Sequence, residues 1–149
     1  MKIKRIEHIA IAVDDLDGMA GMLRDKFGIE VEYSEEIARN RTRLAMLPVG
    51  ESYIELLQGM APNSRAAEWI AQKGQSLFHI CFEVDDIDAA LAELKAKGTK
   101  LLNETPLIGH GNCRIAFLDP EATGNILFEL AEMPPSGHGA GHGDSGAAH

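Results

Sequence analysis

An internal repeat constrains this chain more than any other feature of its sequence. Residues 6–17 read IEHIAIAVDDLD and residues 77–88 read LFHICFEVDDID, which places His8 and His79 at the same point of each copy, 71 positions apart (79 − 8 = 71). Each copy runs from an apolar, strand-like segment into a pair of aspartates that can cap a helix. A unit of this size is too small for a core of its own, so we expect the two copies to share one.

Each copy predicts the same order of elements, β-α-β-β-β. In the first copy, a strand at 5–13 leads into a helix that Gly28 ends, and three strand-like segments follow. In the second copy, a strand at 77–84 leads into a helix that Gly98 ends, again followed by three strand-like segments. The pattern predicts an α+β fold in which two β-α-β-β-β modules form one cupped, eight-stranded mixed sheet with helices outside.

We expect a single domain at residues 1–133 to contain both modules. The modules are expected at about residues 5–58 and 77–131, with a helical connector at 62–74 between them. The segment 134–149 consists mostly of Gly, Ala, Ser and His and has almost nothing to bury, so we predict a disordered tail.

The composition argues against several classes of function. A net charge of −9 argues against general binding to nucleic acid or to acidic membranes, because both require a basic surface. No apolar run is long enough to span a membrane. Cys81 and Cys113 lack CxxC spacing and indicate no disulfide framework, so we expect a cytoplasmic location.

The repeat also pairs two glutamates. Glu55 in YIELLQ and Glu129 in NILFELAE each lie in the fourth strand of a module, 47 and 50 positions after the histidine of that module (55 − 8 = 47; 129 − 79 = 50). Neighbouring side chains of a strand point to opposite faces, so the apolar neighbours of each glutamate would face the helices. The cupped face would then be lined by His8, Glu55, His79 and Glu129.

Two imidazoles and two carboxylates form an N₂O₂ ligand set that suits one divalent ion such as Zn, Ni, Co or Mn. Taken singly, a strand histidine is more often a packed core residue, and a strand glutamate more often reaches solvent or a cation. A carboxylate within an apolar strand is costly unless it is paired or bound to a metal. The twofold-related positions of the four residues favour the metal interpretation.

These four residues and three longer stretches resemble the vicinal oxygen chelate superfamily, which includes the glyoxalases and the bleomycin-resistance proteins. Within it, the chain is most similar to the methylmalonyl-CoA epimerases. The stretches, about half of the chain, are LPVGESYIELL at 47–57, APNSRAAEWIAQKGQSLFHICFEVDDIDAALAELKAKG at 61–98 and IGHGNCRIAFLDPEATGNILFEL at 108–130. The resemblance implies paired β-α-β-β-β modules with a metal ion in the cup.

The resemblance also implies an isomerase that interconverts (R)- and (S)-methylmalonyl-CoA, with one divalent ion (Co, Zn, Ni or Mn) stabilising the enolate. It assigns the metal ligands to His8, Glu55, His79 and Glu129. Epimerisation needs proton transfer on both faces of C2, and the resemblance favours Glu129 as one catalytic group. It further implies a small-molecule acyl-CoA partner and a homodimer.

The sequence leaves the second proton-transfer group open. Some relatives carry a second catalytic glutamate on the third strand of the first module, and the position aligned with it here is Arg43. An arginine stays protonated and cannot act as a base. Either Glu55 serves as the second catalytic base or the substrate differs.

Four residues are candidates for contact with the substrate. His110 and Asn112 lie in IGHGN, which resembles the Gly-rich loop that closes over the ligand in these proteins, and Arg114 follows it. Arg43 ends the basic stretch ARNRTR, which is a candidate for holding the phosphates of coenzyme A. The simpler alternatives are an exposed loop histidine and a solvated basic edge strand.

Two other functions fit the same ligand set. Glyoxalase I isomerises a glutathione hemithioacetal on a metal, although the first helix here, GMAGMLRDKFGIEV, lacks the Phe-Tyr pair that many glyoxalases show. A non-catalytic ligand-binding relative is the other alternative, although such proteins often lack metal ligands. Measurements of bound metal and of substrate turnover separate these three hypotheses.

Overall fold

The computed structural model describes residues 1–135, and the predicted disordered tail lies outside this range apart from its first two residues. The helices are α1 (Leu16–Phe27), α2 (Arg65–Lys73) and α3 (Ile87–Ala96). The strands are β1 (Ile3–Ala12), β2 (Tyr33–Ile37), β3 (Thr42–Val49), β4 (Ser52–Gly59), β5 (Ser76–Val84), β6 (Leu107–Ile108), β7 (Arg114–Phe117) and β8 (Phe128–Glu132). Within the described range, no helix has both the length and the apolar character needed to cross a bilayer.

All eight of these strands belong to one sheet, in the order β2-β3-β4-β1-β5-β8-β7-β6. β1 and β5 pair antiparallel at its centre, and each pairs in parallel with the last strand of its own module, β4 or β8. The sheet is curled into a half-barrel. The predicted α+β fold with one cupped, eight-stranded mixed sheet is therefore confirmed.

The helices begin and end at residues that the repeat identifies. Asp15 and Asp86 cap α1 and α3, and their carboxylates accept hydrogen bonds from Gly18 N and Ala89 N. α1 ends at Gly28, whose φ of 69° lies in the left-handed region that glycine adopts without strain. These predicted helix boundaries are therefore confirmed.

The two faces of the sheet have separate cores. On the outer face, α1 packs against the first module through Leu16 and Leu23. α3 packs against the second module in the same way, through Ile87 and Leu91. A third cluster of buried apolar side chains fills the inner, concave face and is called the inner cluster below. The predicted outer position holds for these two helices.

The connector helix α2 packs against the inner cluster instead. Its Ala66 is buried there, and Trp69 and Ile70 pack against the same residues. The end of β4 approaches the start of α2 so closely that a Cβ atom on Gly59 would lie 2.1 Å from Ser64 Oγ. A glycine at this position allows the chain to turn directly from the sheet into a helix on the concave side.

The pairing of β1 with β5 shifts register at three places, and two of these are β-bulges directly beside the histidines. The register shifts at Glu7 on β1 and at Phe78 on β5, so neither residue lies opposite a residue of the other strand. The bulges are equivalent in the repeat, because the two residues are 71 positions apart (78 − 7 = 71) and each precedes a histidine. A bulge re-aims a side chain. Glu7 is fully buried and Phe78 is 8% exposed, so both side chains are held inside the fold.

Candidate metal centre

Four adjacent strands supply the four side chains that the repeat pairs. His8 lies on β1, Glu55 on β4, His79 on β5 and Glu129 on β8, and these strands are neighbours in the order β4-β1-β5-β8. The register places Ala10 of β1 opposite both Glu55 and His79. All four side chains are buried, and the strand order brings them together at the middle of the sheet.

The four side chains converge through His8 Nε2, His79 Nε2, Glu55 Oε1 and Glu129 Oε1. His8 Nε2 lies 3.0 Å from both His79 Nε2 and Glu129 Oε1. It lies 3.3 Å from Glu55 Oε1. His79 Nε2 lies 3.2 Å from Glu129 Oε1 and 3.6 Å from Glu55 Oε1. Two nitrogen and two oxygen atoms therefore surround one small volume.

This spacing fits the donor set of one divalent ion. Zinc binds imidazole nitrogen and carboxylate oxygen at about 2.0–2.2 Å, so donors that share an ion lie roughly 3–3.5 Å apart. His8, Glu55 and His79 form a buried group that is consistent with such a site. Glu129 Oε1 lies within 3.2 Å of both imidazole Nε2 atoms. The role of each side chain as a metal ligand stays a prediction, and the set of donors suits Zn, Co, Ni or Mn.

Charge within the cup favours a cation among these donors. Glu7, Glu55 and Glu129 are fully buried carboxylates. Burial by itself lowers the pKa of His8, but Glu55, Glu129 and Glu7 together raise that pKa to about 10. In the metal-free protein the imidazole of His8 is therefore positively charged at neutral pH. A bound divalent ion would supply positive charge at the same place.

His79 shows the opposite shift. Burial lowers the pKa of His79 by more than the neighbouring Glu129 carboxylate raises it. Only the neutral form of an imidazole binds a metal, so His79 is already in the binding form. His8, in contrast, has to release a proton before its Nε2 can bind an ion.

Glu7 is a site residue that the sequence analysis missed. Its Oε1 lies 2.5 Å from His8 Nδ1 and 3.0 Å from His110 Nε2. A carboxylate on one ring nitrogen of a histidine fixes the ring and leaves the other nitrogen for a metal. The signal was present in the repeat, because Glu7 occupies the position at which the second copy has Phe78.

His110 is buried, which corrects the alternative of an exposed loop histidine. It begins a short 3₁₀ turn, His110–Asn112, that follows β6, and it has no exposed surface. Its Nδ1 lies 3.8 Å from Glu55 Oε2. Burial lowers the pKa of His110, but Glu7 and Cys113 outweigh this effect and raise it well above its ordinary value. Sequence reasoning could not see this, because nothing near His110 in the chain indicates that Glu7 faces it.

The turn at His110 also joins the two edges of the sheet. Gly111 N donates a hydrogen bond of 2.9 Å to Glu35 Oε1 on β2, the opposite edge strand. We call this contact the edge seam. Asn112 closes the same turn with a φ of 61° and is half-buried. Contacts of His110 and Asn112 with a substrate stay predictions.

Arg43 and Arg114 lie on the outer face of the sheet, where each forms an ion pair with a helix, and their predicted contacts with a substrate stay predictions. Arg43 Nη2 pairs with Asp17 Oδ1 of α1 at 2.8 Å, and Arg114 Nη2 pairs with Asp88 Oδ2 of α3 at 2.9 Å. Leu44 beside Arg43 and Ile115 beside Arg114 belong to the inner cluster, so alternation places both arginines on the outer face. Both ion pairs follow the repeat (114 − 43 = 71; 88 − 17 = 71).

A comparison with protein families matches residues 7–117 to the Glyoxalase/Bleomycin resistance protein/Dioxygenase superfamily. Among curated proteins, the chain is similar to the mitochondrial methylmalonyl-CoA epimerase of Homo sapiens. The two are 32% identical over 129 residues, which are 86% of this chain and 73% of the human protein.

Solved structures give the same result. A Streptomyces coelicolor methylmalonyl-CoA epimerase variant in complex with 2-nitronate-propionyl-CoA is 34% identical, with a TM-score of 0.85 over 88% of this chain and 95% of that chain. A methylmalonyl-CoA epimerase in complex with methylmalonyl-CoA and NH4+ is 33% identical, with a TM-score of 0.87 over 92% of this chain and 99% of that chain. Both of these similar proteins were solved with an acyl-CoA ligand.

Proposed function

This chain belongs to the Glyoxalase/Bleomycin resistance protein/Dioxygenase superfamily, and from that membership we propose that it is a metal-dependent epimerase of methylmalonyl-CoA. The observation that carries the proposal is the pair of buried carboxylates at the candidate metal centre. Glu55 and Glu129 come from different modules and reach the same two imidazoles. Epimerisation needs two proton-transfer groups, one for each face of the reacting carbon.

The chemistry of the reacting carbon explains why a metal ion and two carboxylates are sufficient for epimerisation. C2 of methylmalonyl-CoA lies between a thioester and a carboxylate, and loss of its proton gives an enolate. When bound by His8, Glu55, His79 and Glu129, a divalent ion supplies positive charge that favours the enolate form of the thioester. The burial of these side chains keeps bulk water away, which strengthens every charge interaction inside the cup.

Glu55 and Glu129 then carry out the two proton transfers. Oε1 of each glutamate faces the imidazoles, and we assign Oε2 of Glu55 and of Glu129 to proton transfer. One glutamate, as a carboxylate, removes the C2 proton, and the other, in its protonated carboxylic acid form, donates a proton to the opposite face, which inverts the configuration. Glu55 takes the place of the third-strand base, because Arg43 faces away from the cup.

The test follows proton exchange and inversion at the same time. Metal-reconstituted protein is mixed with (R)-methylmalonyl-CoA in deuterated water, and C2 exchange is followed by NMR together with the stereochemistry of the product. We expect deuterium incorporation with inversion in the wild type, and its loss in Glu129→Gln and in Glu55→Gln. Exposed Glu104→Gln is the matched control and should behave as the wild type.

Bound metal is measured in every sample, because a variant that loses the ion would lose activity for a different reason. Full metal occupancy without any exchange of the C2 proton would contradict the epimerase. The glutathione hemithioacetal of methylglyoxal is then the substrate to try, since a glyoxalase uses the same ligands. A protein that binds ligands but turns over neither substrate would belong to the non-catalytic class.

A further inference from the structure

A groove of about 570 Å³ opens next to the candidate metal centre. Helix α2 lines it with Arg65, Glu68, Trp69 and Lys73, and Leu127 lines it from outside that helix. Phe78 lies at the base of the groove and belongs to the same strand as His79. None of the four predicted metal ligands lines the groove, so it is a separate surface that reaches toward the centre.

Arg65 is held against the aromatic residues that adjoin the centre. Its guanidinium carbon lies 4.8 Å from the ring centroid of Phe117 and 5.9 Å from that of Phe78. These two rings lie 5.2 and 5.1 Å from the imidazole of His79. The two phenyl rings thus lie next to both the guanidinium of Arg65 and a predicted metal ligand, His79. The cation–π contacts fix the guanidinium in place.

The guanidinium of Arg65 faces the groove without a carboxylate of its own. Among residues 1–135, no acidic side chain forms an ion pair with Arg65. The residue as a whole is exposed, but protein atoms pack closely around its guanidinium. This loss of water lowers the pKa of Arg65 by more than the negative charges of Glu129 and Glu68 raise it. An arginine that has lost part of its water and has planar donors available is a strong site for a carboxylate or a phosphate.

We propose that Arg65 binds an oxyanion of the ligand at the inner end of this groove and that Trp69 and Lys73 line the path of the rest of the molecule. The proposal rests on the proposed function for its choice of ligand. A carboxylate on the acyl group and a phosphate of coenzyme A share this chemistry. The apolar wall and the charge of Lys73, 4.3 Å over the Trp69 ring, suit a long thioester that carries anionic groups.

Trp69 allows binding to be measured without turnover, because it is the single tryptophan of the chain. Its fluorescence is titrated in metal-loaded wild type, Arg65→Gln and Arg65→Lys. Arg24→Gln is the matched control, since Arg24 lies on α1 with Asp25 as its ion-pair partner. The probes are methylmalonyl-CoA, propionyl-CoA, which lacks the carboxylate, and methylmalonyl-pantetheine, which lacks the phosphates.

We expect Arg65→Gln to bind methylmalonyl-CoA roughly 10- to 100-fold more weakly, with partial recovery in Arg65→Lys and no change in Arg24→Gln. If the oxyanion is the carboxylate, propionyl-CoA binding is insensitive to Arg65→Gln and methylmalonyl-pantetheine binding is sensitive. If the oxyanion is a phosphate, propionyl-CoA binding is sensitive to Arg65→Gln and methylmalonyl-pantetheine binding is insensitive. Equal affinity of wild type and Arg65→Gln for all three probes, or no binding of any probe, overturns the inference.

Turnover separates this inference from the proposed function. Arg65-dependent binding of methylmalonyl-CoA without exchange of its C2 proton would leave the inference standing and remove the epimerase. Epimerisation with the same KM in wild type and in Arg65→Gln would support the epimerase and overturn the inference about Arg65. For Arg65→Gln we expect a rise in KM at nearly constant kcat, because Arg65 binds a part of the ligand that does not take part in the reaction.

Discussion

The β-bulges on β1 and β5 place Glu7 and Phe78 at equivalent positions, each directly before a histidine of the candidate metal centre. Phe78 contributes a ring to the inner cluster, whereas Glu7 contributes a carboxylate that contacts His8 and His110. The first module therefore has a carboxylate that can orient its histidine through Nδ1, and the second module has a phenyl ring at the same position. The two histidines are equivalent in the repeat but differ in their chemical environment.

Replacing Glu7 tests whether it orients His8. We expect Glu7→Gln to lower the affinity for Zn²⁺ or Co²⁺ about 10- to 100-fold, because the substitution keeps the shape and removes the charge that fixes the imidazole. Competition with a chromogenic chelator measures the affinity. Glu83→Gln is the control, since Glu83 is a buried carboxylate on β5 that pairs with Arg5. An unchanged affinity in folded Glu7→Gln protein would remove this role.

The outer-face arginines lead to a different expectation. Arg43→Gln and Arg114→Gln should each change the affinity for methylmalonyl-CoA by less than about twofold, because ion pairs at an exposed surface contribute little. Their partners Asp17 and Asp88 lie on the helices rather than at the cup. Titration of Trp69 fluorescence measures the affinity. A tenfold loss in either variant would indicate that the arginine contacts the substrate.

At the scale of elements, the edge seam connects the two edges of the curled sheet. β2 and β6 are the two outermost strands of the sheet, and the turn after β6 reaches β2 through the hydrogen bond from Gly111 N to Glu35 Oε1. The same turn places His110 over Glu7. Because the predicted ligand atoms have no exposed surface, an ion or a substrate has to pass a part of the structure that opens.

The seam can be weakened without touching the centre. We expect Glu35→Ala to speed the transfer of metal to excess EDTA roughly 5- to 10-fold, because one hydrogen bond to a charged group is lost. The equilibrium affinity should change much less, since opening accelerates binding as well as release. Glu36→Ala, on the same strand and exposed, is the control. Equal transfer rates in the two variants would show that the ion leaves by another path.

Strand alternation explains which elements the sequence could predict. It placed Glu55 and Glu129 correctly, because β4 and β8 are regular where these residues lie. It failed for Glu7, because a bulge breaks the alternation there and the sequence signal lies in the comparison of the two copies rather than in the strand itself. The basic stretch ARNRTR suggests that Arg43 contacts the substrate, whereas the alternation of β3 places its side chain on the outer face.

The burial of His110 depends on a contact that spans most of the chain. His110 and Glu7 are 103 positions apart, and the turn that carries His110 is fixed by Glu35 from a third part of the chain. A pattern of local propensities contains no information about such a contact. The repeat predicted the modules and their helix caps because both depend on residues close to one another in sequence.

At the scale of the whole molecule, the charge on His8 links stability to pH. The pKa of His8 in the metal-free fold is raised to about 10, above the value of about 6.5 expected for an unfolded chain. The folded state then holds a proton that the unfolded state lacks between these values. This contribution to the free energy of unfolding is fully present below pH 6.5 and is lost as the pH rises toward 10.

We therefore expect metal-free protein to lose stability relative to metal-loaded protein as the pH rises from 7 to 9, by roughly 1.4 kcal/mol per pH unit. A bound ion occupies His8 in place of the proton, so the loaded protein lacks this slope. Urea unfolding at several pH values, with EDTA or with saturating Zn²⁺, measures the difference. Parallel curves for the two forms would contradict the charge assigned to His8.

The bulge retained in both modules has a consequence for the history of the chain. Equal offsets for the histidines, the bulges and the arginine–aspartate pairs indicate that one ancestral module was duplicated and fused. Two separate copies of that module would have to build a centre with true twofold symmetry. In the fused chain, one copy carries Glu7 and the other carries Phe78 beside Arg65. The two halves of the cup therefore differ in the chemical groups they contain, which separate identical copies would not allow.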